Sequence, residues 1–166
     1  MKFQAIVLAG CLGIAALAPL TAPATADSVL GSPDGWYVVE TDKDYATLLN
    51  DLKEAVKANK MAVVTEAGPT EVAAQRGATI PGNRVVGVFR NDYAVSIIEL
   101  VPAAMIEAPI RIMVMEEPDG TATLAYATPT TVFAPYMADG GGELEELAAS
   151  LDEIFADIVA DASRDD

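Results

Sequence analysis

The stretch 81–117 limits the fold of this 166-residue chain more than any other part. It holds two apolar runs, 84–90 and 110–117, separated by a segment whose apolar residues fall at i, i+3, i+4 and i+7. Short apolar runs are typical of buried strands, and the intervening spacing describes one face of a helix. The stretch therefore predicts two strands in the middle of a sheet and a helix, 92–100, that lies on them.

Sequence patterns on either side add the remaining elements. Aromatic and β-branched residues indicate strands, and apolar residues at helical spacing indicate helices. A Pro-Asp-Gly turn after the fourth strand indicates a hairpin with the fifth. The predicted strands are 36–40, 61–66, 84–90, 110–117 and 121–127; the predicted helices are 43–58, a short 70–76, 92–100 and a last helix after the glycines 140–142. Residues 77–83 and 128–136 are predicted to be loops.

Local signals refine several of these elements. Thr41 followed by Asp44 is similar to a capping box at the start of the first helix. Asn91 or Asp92 is expected to cap the third helix. Gly87 lies inside the third strand and indicates a bulge or the close approach of another backbone. That strand is apolar on both faces, so we expect it to be central.

The order β-α-β-β-α-β-β-α predicts an α+β fold. Its helices should lie on one face of a mainly antiparallel five-stranded sheet. The length is that of about one domain, which we assign to residues 36–162. Residues 27–35 contain Ser, Gly, Pro and Asp and predict a flexible leading segment, and 163–166 form a charged tail.

The first 26 residues have the features of a signal peptide. Lys2 precedes an uncharged run, 5–18, which is too short for a typical transmembrane helix. Ala24 and Ala26 satisfy the small-x-small rule, which predicts cleavage between Ala26 and Asp27. We therefore expect a periplasmic or secreted protein with no membrane attachment after cleavage.

A second interpretation of this terminus involves Cys11. The sequence Leu8-Ala9-Gly10-Cys11 resembles a lipobox, whose cysteine would be lipidated and would anchor a lipoprotein. However, the apolar run continues well beyond Cys11, where a lipoprotein usually turns polar. An uncleaved anchor is the third alternative.

Charge and residue types narrow the classes of function. The chain has 25 acidic and 10 basic residues, a formal charge of −15, which argues against nucleic acid or anionic lipid as partners. It has no histidine, and its only cysteine is Cys11. Zinc, copper and haem sites would lack their common ligands, and His-dependent nucleophiles cannot be assembled. We therefore expect no cofactor, no metal and no enzyme, with carboxylate-only catalysis as an open alternative.

Three arginines provide the candidate binding residues. Arg84 and Arg90 share one face of the third strand by the period of two, and Arg111 lies near the start of the fourth. Arginines on neighbouring strands could bind an anionic ligand such as a carboxylate. The alternative is that each pairs with a nearby acid, for example Asp92 or Glu107. The candidate ligand-binding set is Arg90, Asp92 and Arg111.

The chain resembles the domain-of-unknown-function family numbered 302 in two motifs and in the residues that follow them. The motifs are GVFRNDYAVSIIEL and EAPIRIMVMEEPDG, and they are followed by Thr128-Pro129. In that family a strand ends at an Asn that starts a helix, which matches Asn91. A Pro then introduces a strand that ends in acidic residues and a Gly turn, which matches Pro109, Glu116, Glu117 and Gly120. The resemblance covers roughly residues 36–135.

The resemblance implies a fold similar to the β-α-β(4)-α arrangement of TATA-box-binding-protein-like domains, and it implies a homodimer. It implies nothing about DNA, because fold does not carry function. Many relatives have cysteines beside the Asn and after the Pro. Here Phe89 and Arg90 precede the Asn and Ile110 follows the Pro, which argues against a thiol-based activity.

Two functions follow as hypotheses. The first is a non-enzymatic module that binds a small anionic or apolar molecule, in a pocket between sheet and helices or at a dimer interface. The alternative is an interaction or structural module that docks a protein partner through the sheet edge or the segment 128–136. Phe133 and Tyr136, in that segment, are expected either to seal the sheet edge or to cap a pocket.

Overall fold

The computed structural model describes residues 28–165 of the chain. Its strands are β1 (Trp36–Asp44), β2 (Ala62–Ala67), β3 (Asn83–Phe89), β4 (Ile110–Glu116) and β5 (Thr121–Ala127). Its helices are α1 (Tyr45–Ala58), α2 (Thr70–Gln75), α3 (Asn91–Leu100), α4 (Pro129–Phe133) and α5 (Met137–Ser163), with 3₁₀ helices at Pro102–Glu107 and Ala134–Tyr136. The predicted signal sequence, its cleavage site between Ala26 and Asp27, and Cys11 lie outside the described residues.

The strands form one sheet in the order β1-β5-β4-β3-β2, and all neighbours are antiparallel. This confirms the predicted α+β class with its five-stranded sheet. One expectation is corrected, because β4 is the middle strand and β3 lies second from the edge. The apolar character of β3 reflects contacts on both of its faces and does not require the central position. None of the helices in the described part of the chain has the length and hydropathy of a membrane span.

The hydrophobic core lies on one face of the sheet. Alternate residues of the inner strands, such as Val86, Ile112 and Leu124, are fully buried there. The apolar stripes of α1 and α5, including Leu52 and Phe155, pack against them. Burial of each such side chain contributes roughly 1.5–3 kcal/mol, so this face supplies most of the driving force for folding.

The other face of the sheet, which we call the open face, carries the opposite set of alternating side chains. Val38, Ala125, Met113 and Val85 lie side by side across four strands. Trp36 pairs with Ala127 in the next row. Since α1, α3 and α5 send their buried side chains into the core, they leave this face to the loops and the leading segment.

Two predicted helix starts are corrected by the structure. Asp44, and not Thr41, caps α1, because its carboxylate accepts hydrogen bonds from the amides of Ala46 and Thr47, each at 3.0 Å. Thr41 instead donates its hydroxyl to the carbonyl of Ala122 at 2.7 Å. At α3 the capping position is Arg90, one residue earlier than predicted, and it makes no capping hydrogen bond with its side chain.

The segment 128–136 is helical and not a loop. Thr128 caps α4 by accepting a hydrogen bond from the amide of Thr131, and Pro129 occupies the first turn, where proline is well tolerated. Phe133 is buried in the core. The range Met137–Ser163 consists of two helical pieces that meet at Gly141, whose φ of +59° and ψ of −157° are not helical. The long last helix therefore begins directly after Gly141, close to its predicted start after the glycines 140–142, and a short helical piece precedes it. Glycine accommodates that backbone conformation without steric cost.

Gly87 marks a close approach, as predicted, but the approaching atoms belong to two side chains and not to another backbone. A Cβ at this position would lie 2.1 Å from Oγ1 of Thr65 and 2.7 Å from Cγ of Pro109. The register irregularity lies in the neighbouring strand, between Val63 and Thr65. The missing side chain thus lets the start of β4 pack on β3 at the open face.

We predict that Gly87→Ala lowers the free energy of unfolding by about 1–3 kcal/mol, because the rigid proline ring cannot give way to the added methyl group. Urea denaturation measures the change. Gly142→Ala is the matched control, since its added Cβ meets no atom within 4 Å and should change stability by no more than about 0.5 kcal/mol. Equal effects of the two variants would contradict the close approach.

Candidate functional site

A cavity of about 330 Å³ opens at one end of the open face. Its volume lies within the range of roughly 300–1,000 Å³ that is typical of small-molecule sites. Four strands supply its walls, and the 3₁₀ helix Pro102–Glu107 and α4 supply its rim. Its principal lining side chains are Trp36, Val85, Glu107, Arg111, Met113 and Val132.

The register of the sheet positions the apolar walls. Met113 lies between Val85 on β3 and Ala125 on β5. Trp36 is the first residue of β1 and pairs with Ala127, and 43% of its surface remains exposed. A large aromatic side chain that is left this open at the mouth of a cavity can provide contact area for a ligand.

Contacts with α4 fix the backbone next to Trp36. The carbonyl of Gly35 accepts a hydrogen bond from the amide of Thr128 at 2.9 Å. Gly35 has a φ of +75°, and a Cβ there would lie 2.6 Å from the side chain of Thr131. Both the backbone conformation and the short distance to Thr131 therefore require glycine at position 35. The hydrogen bond of its carbonyl connects the start of β1 to the start of α4.

Two opposite charges line the cavity. Arg111 projects from β4 and makes no ion pair or hydrogen bond with the side chains of residues 28–165. Glu107 accepts a hydrogen bond from the hydroxyl of Tyr136 at 2.9 Å, and this bond raises the pKa of Tyr136 above its ordinary value. Arg111 and Glu107 do not pair with each other, so the pairing considered from sequence does not form.

The structure does not bring the predicted ligand-binding set together. The Nε of Arg90 donates to Oδ1 of Asp92 at 2.8 Å, and the guanidinium lies 4.3 Å from the centre of the Tyr93 ring. Arg90 borders the core on the helix side, whereas Arg111 lies on the open face. Arg84, on the same side as Arg90, pairs with Glu71. Of the predicted residues, only Arg111 reaches the cavity.

Sequence reasoning missed several residues of this site. The period of two along β4 places Met113 on the same face as Arg111 and could have indicated it. Glu107 was considered only as an arginine partner, and its position beside Tyr136 depends on how the two 3₁₀ helices meet. Tyr136 was expected to seal an edge or cap a pocket, and the structure shows it holding the cavity carboxylate. Trp36 was identified only as part of a strand.

The leading segment contacts the opposite end of the open face. The carboxylate of Glu117 accepts hydrogen bonds from the hydroxyls of Ser28 and Thr123, at 2.6 and 2.7 Å, and from the amide of Val29 at 3.1 Å. The amide of Ser28 donates to Glu40 at 2.9 Å. The start of the segment 28–35, predicted to be flexible, is therefore anchored on the sheet.

The described part of the chain contains no cluster of metal-ligating side chains. Among residues 28–165, no three or more acidic side chains meet in a way that could hold an ion.

Comparison with known proteins identifies a family and a solved structure to which the chain is similar. A family model described as "Domain of unknown function DUF302" matches residues 37–162. A solved structure described as an uncharacterized conserved protein DUF302 from Bacillus stearothermophilus superposes with a TM-score of 0.68 at 20% sequence identity. The match covers 80% of this chain and 100% of that chain. At this identity the likeness shows the fold alone. No curated protein matches the sequence.

The contacts of Glu117 predict sensitivity to acid. Burial alone would raise the pKa of Glu117, but hydrogen bonds from Ser28, Thr123 and Val29 outweigh it and lower the pKa below the ordinary 4.5. The folded state therefore favours the ionised carboxylate. Its contribution to stability is complete above the unfolded-state pKa and is lost as the pH falls through the lower folded-state pKa.

We expect Glu117→Gln to reduce the dependence of the unfolding free energy on pH in this acidic window. Urea denaturation at a series of pH values from about 7 to about 3 measures it. The control is Glu99→Gln, which removes an exposed carboxylate of α3 and should leave the slope unchanged. If Glu117→Gln has the slope of the unmodified protein, these hydrogen bonds do not stabilise the fold as described.

Proposed function

This chain belongs to the DUF302 family, and we propose that this member is a non-enzymatic module that binds a small, largely apolar molecule with an anionic group in the open-face cavity. The observation that carries the proposal is the guanidinium of Arg111, which has no ion-pair partner among residues 28–165 and borders a cavity of about 330 Å³ whose other walls are mostly apolar. Ligand sites typically combine apolar walls with a few polar groups that fix orientation.

The walls favour an apolar ligand body. Trp36 and Met113 present large, polarisable surfaces to the cavity, and Val85 and Val132 complete its apolar lining. Removal of apolar surface from water contributes roughly 25 cal/mol per Å². Methionine also adapts its shape to different contacts and packs well against aromatic rings.

Arg111 favours an anionic group on the ligand. Its guanidinium presents a planar fork that binds a carboxylate through two parallel hydrogen bonds. In a chain with 25 acidic and 10 basic residues, an arginine has many potential partners. Arg84 and Arg90 have carboxylate partners, whereas the guanidinium of Arg111 has none in the described part of the chain and is available to a ligand.

The residue types support binding without catalysis. The chain has no histidine, and its cysteine lies within the predicted signal peptide. General base and nucleophile pairs that depend on these side chains are therefore unavailable after the predicted cleavage. The carboxylate of the cavity is engaged by the Tyr136 hydroxyl and has no second carboxylate among its lining residues.

A second candidate function is docking of a protein strand on the edge of the sheet. β1 is an edge strand of nine residues, and 46% of the Tyr37 surface is exposed. Exposed edges can pair with an extended segment of another chain through backbone hydrogen bonds. Docking of this kind would not depend on Arg111, which lies on β4. The variant Arg111→Ala therefore distinguishes the two functions.

We further propose that the protein acts after export, as the features of its first 26 residues suggest. The denatured mass of protein purified from the periplasm or the medium should correspond to a chain that starts at Asp27. A mass that includes a lipid-modified Cys11 would show that the lipoprotein alternative is correct.

Native mass spectrometry of the same preparation tests the binding function. We expect a retained small-molecule mass that is absent under denaturing conditions. Arg111→Ala should weaken binding about three- to tenfold, because Arg111 is exposed and its interaction with an anionic group is screened by solvent. Ala127→Trp should block the cavity directly.

Arg90→Ala is the comparison variant and should retain the mass, because its guanidinium lies away from the cavity. A bare chain in the unmodified protein, or retention by Arg111→Ala and Ala127→Trp equal to that of the unmodified protein, would contradict the proposed function.

A further inference from the structure

The cavity is lined by one charged residue of each sign. A cation and an anion, Arg111 and Glu107, line the same cavity yet form no ion pair. Arg111 is exposed and Glu107 is half-buried, so both side chains can reach a ligand in the cavity. Here each keeps hydrogen-bonding capacity that no described side chain uses.

Tyr136 holds the carboxylate of Glu107 in place. Its hydroxyl donates to Oε1 of Glu107 at 2.9 Å, and its ring is packed against the hydrophobic core. The carboxylate is thereby held at the rim, and its Oε2 accepts no hydrogen bond from residues 28–165. Tyr136 is a positioning residue in this arrangement, because it acts through Glu107.

A ligand with a single charge would interact favourably with only one of the two charged residues of the cavity. A lone carboxylate could bind Arg111 but would face the negative charge of Glu107. A lone ammonium could bind Glu107 but would face the positive charge of Arg111. A molecule that carries both groups meets an opposite charge at each point, while its apolar part contacts Trp36 and Met113.

From this complementarity we propose that the ligand is a zwitterion with an apolar side chain, of the amino-acid type. Its carboxylate binds Arg111, its ammonium donates to Oε2 of Glu107, and its side chain packs on the apolar wall. The inference rests on the proposed binding function and specifies the chemical class of the ligand.

Three probes with the same phenylalkyl body test the inference. L-Phenylalanine carries both charged groups, 3-phenylpropionate lacks the ammonium, and phenethylamine lacks the carboxylate. We expect L-phenylalanine to bind about three- to tenfold more tightly than either analogue, a modest ratio because Arg111 is exposed to solvent. Isothermal titration calorimetry or NMR titration of the full exported chain gives the three dissociation constants.

Two variants assign the groups to their partners. Arg111→Met keeps an unbranched side chain and should abolish the preference for L-phenylalanine over phenethylamine. Glu107→Gln keeps an acceptor for Tyr136 and should abolish the preference over 3-phenylpropionate. The matched controls are Arg76→Met and Glu99→Gln, which remove the same charges at exposed positions outside the cavity and should preserve both preferences.

The outcomes separate this inference from the proposed function. If 3-phenylpropionate binds as tightly as L-phenylalanine, the zwitterion inference is wrong and the anion-binding function stands. If phenethylamine binds as tightly as L-phenylalanine, Arg111 does not bind a carboxylate. The zwitterion inference and the anion-binding function are then both wrong. If none of the probes binds, the zwitterion inference is overturned, and the native mass measurement decides the proposed function independently.

Discussion

Burial of apolar side chains on one face of the sheet is the constraint on which the rest of the structure depends. α1 and α5 lie on that face and cover the inner strands with residues such as Leu52 and Phe155. Because the core is confined to this side, the side chains of the open face are free of any requirement to pack beneath a helix. Polar and aromatic residues can therefore be placed there without loss of the main stabilising interaction.

The open face is divided between a closed end and an uncovered end. Ser28 and Glu117 hold the leading segment over one end, where Thr123 is completely buried. The cavity occupies the other end, and the packing of Pro109 on Gly87 fixes the start of β4 beside it. Since Arg111 follows Pro109 by two residues, the same contact that joins β4 to β3 also sets the position of the cavity cation.

Much of the fold follows from the sequence because its signals are local. The periodicity of α1 and α5, the hairpin turn before β5 and the apolar runs of β3 and β4 each depend on neighbouring residues alone. The predictions were wrong where a residue type that is typical of one local structure serves another role in the folded chain. Thr41 had the sequence of a cap but bonds across the sheet, and the prolines of 128–136 suggested a loop although Pro129 suits the first turn of a helix.

The site was less predictable because its residues come together only through tertiary structure. Arg90 and Arg111 looked equivalent as cations near strand ends, yet alternation along β3 and β4 directs them to opposite faces of the sheet. The role of Glu107 depends on Tyr136, which lies 29 positions further along the chain. No spacing in the sequence connects a carboxylate, a tyrosine hydroxyl and a tryptophan from three separate elements.

The charge of the whole chain bears on which ligand such a site can accept. A formal charge of −15 creates a negative potential that slows the approach of small anions and opposes their binding. One exposed guanidinium, screened by solvent and salt, offsets this repulsion only in part. A zwitterion has no net charge, so the long-range field does not repel it. It then gains both short-range interactions, with Arg111 and with Glu107, on reaching the cavity. The acidity of the surface and the paired charges of the cavity therefore favour the same class of ligand, although they act over different distances.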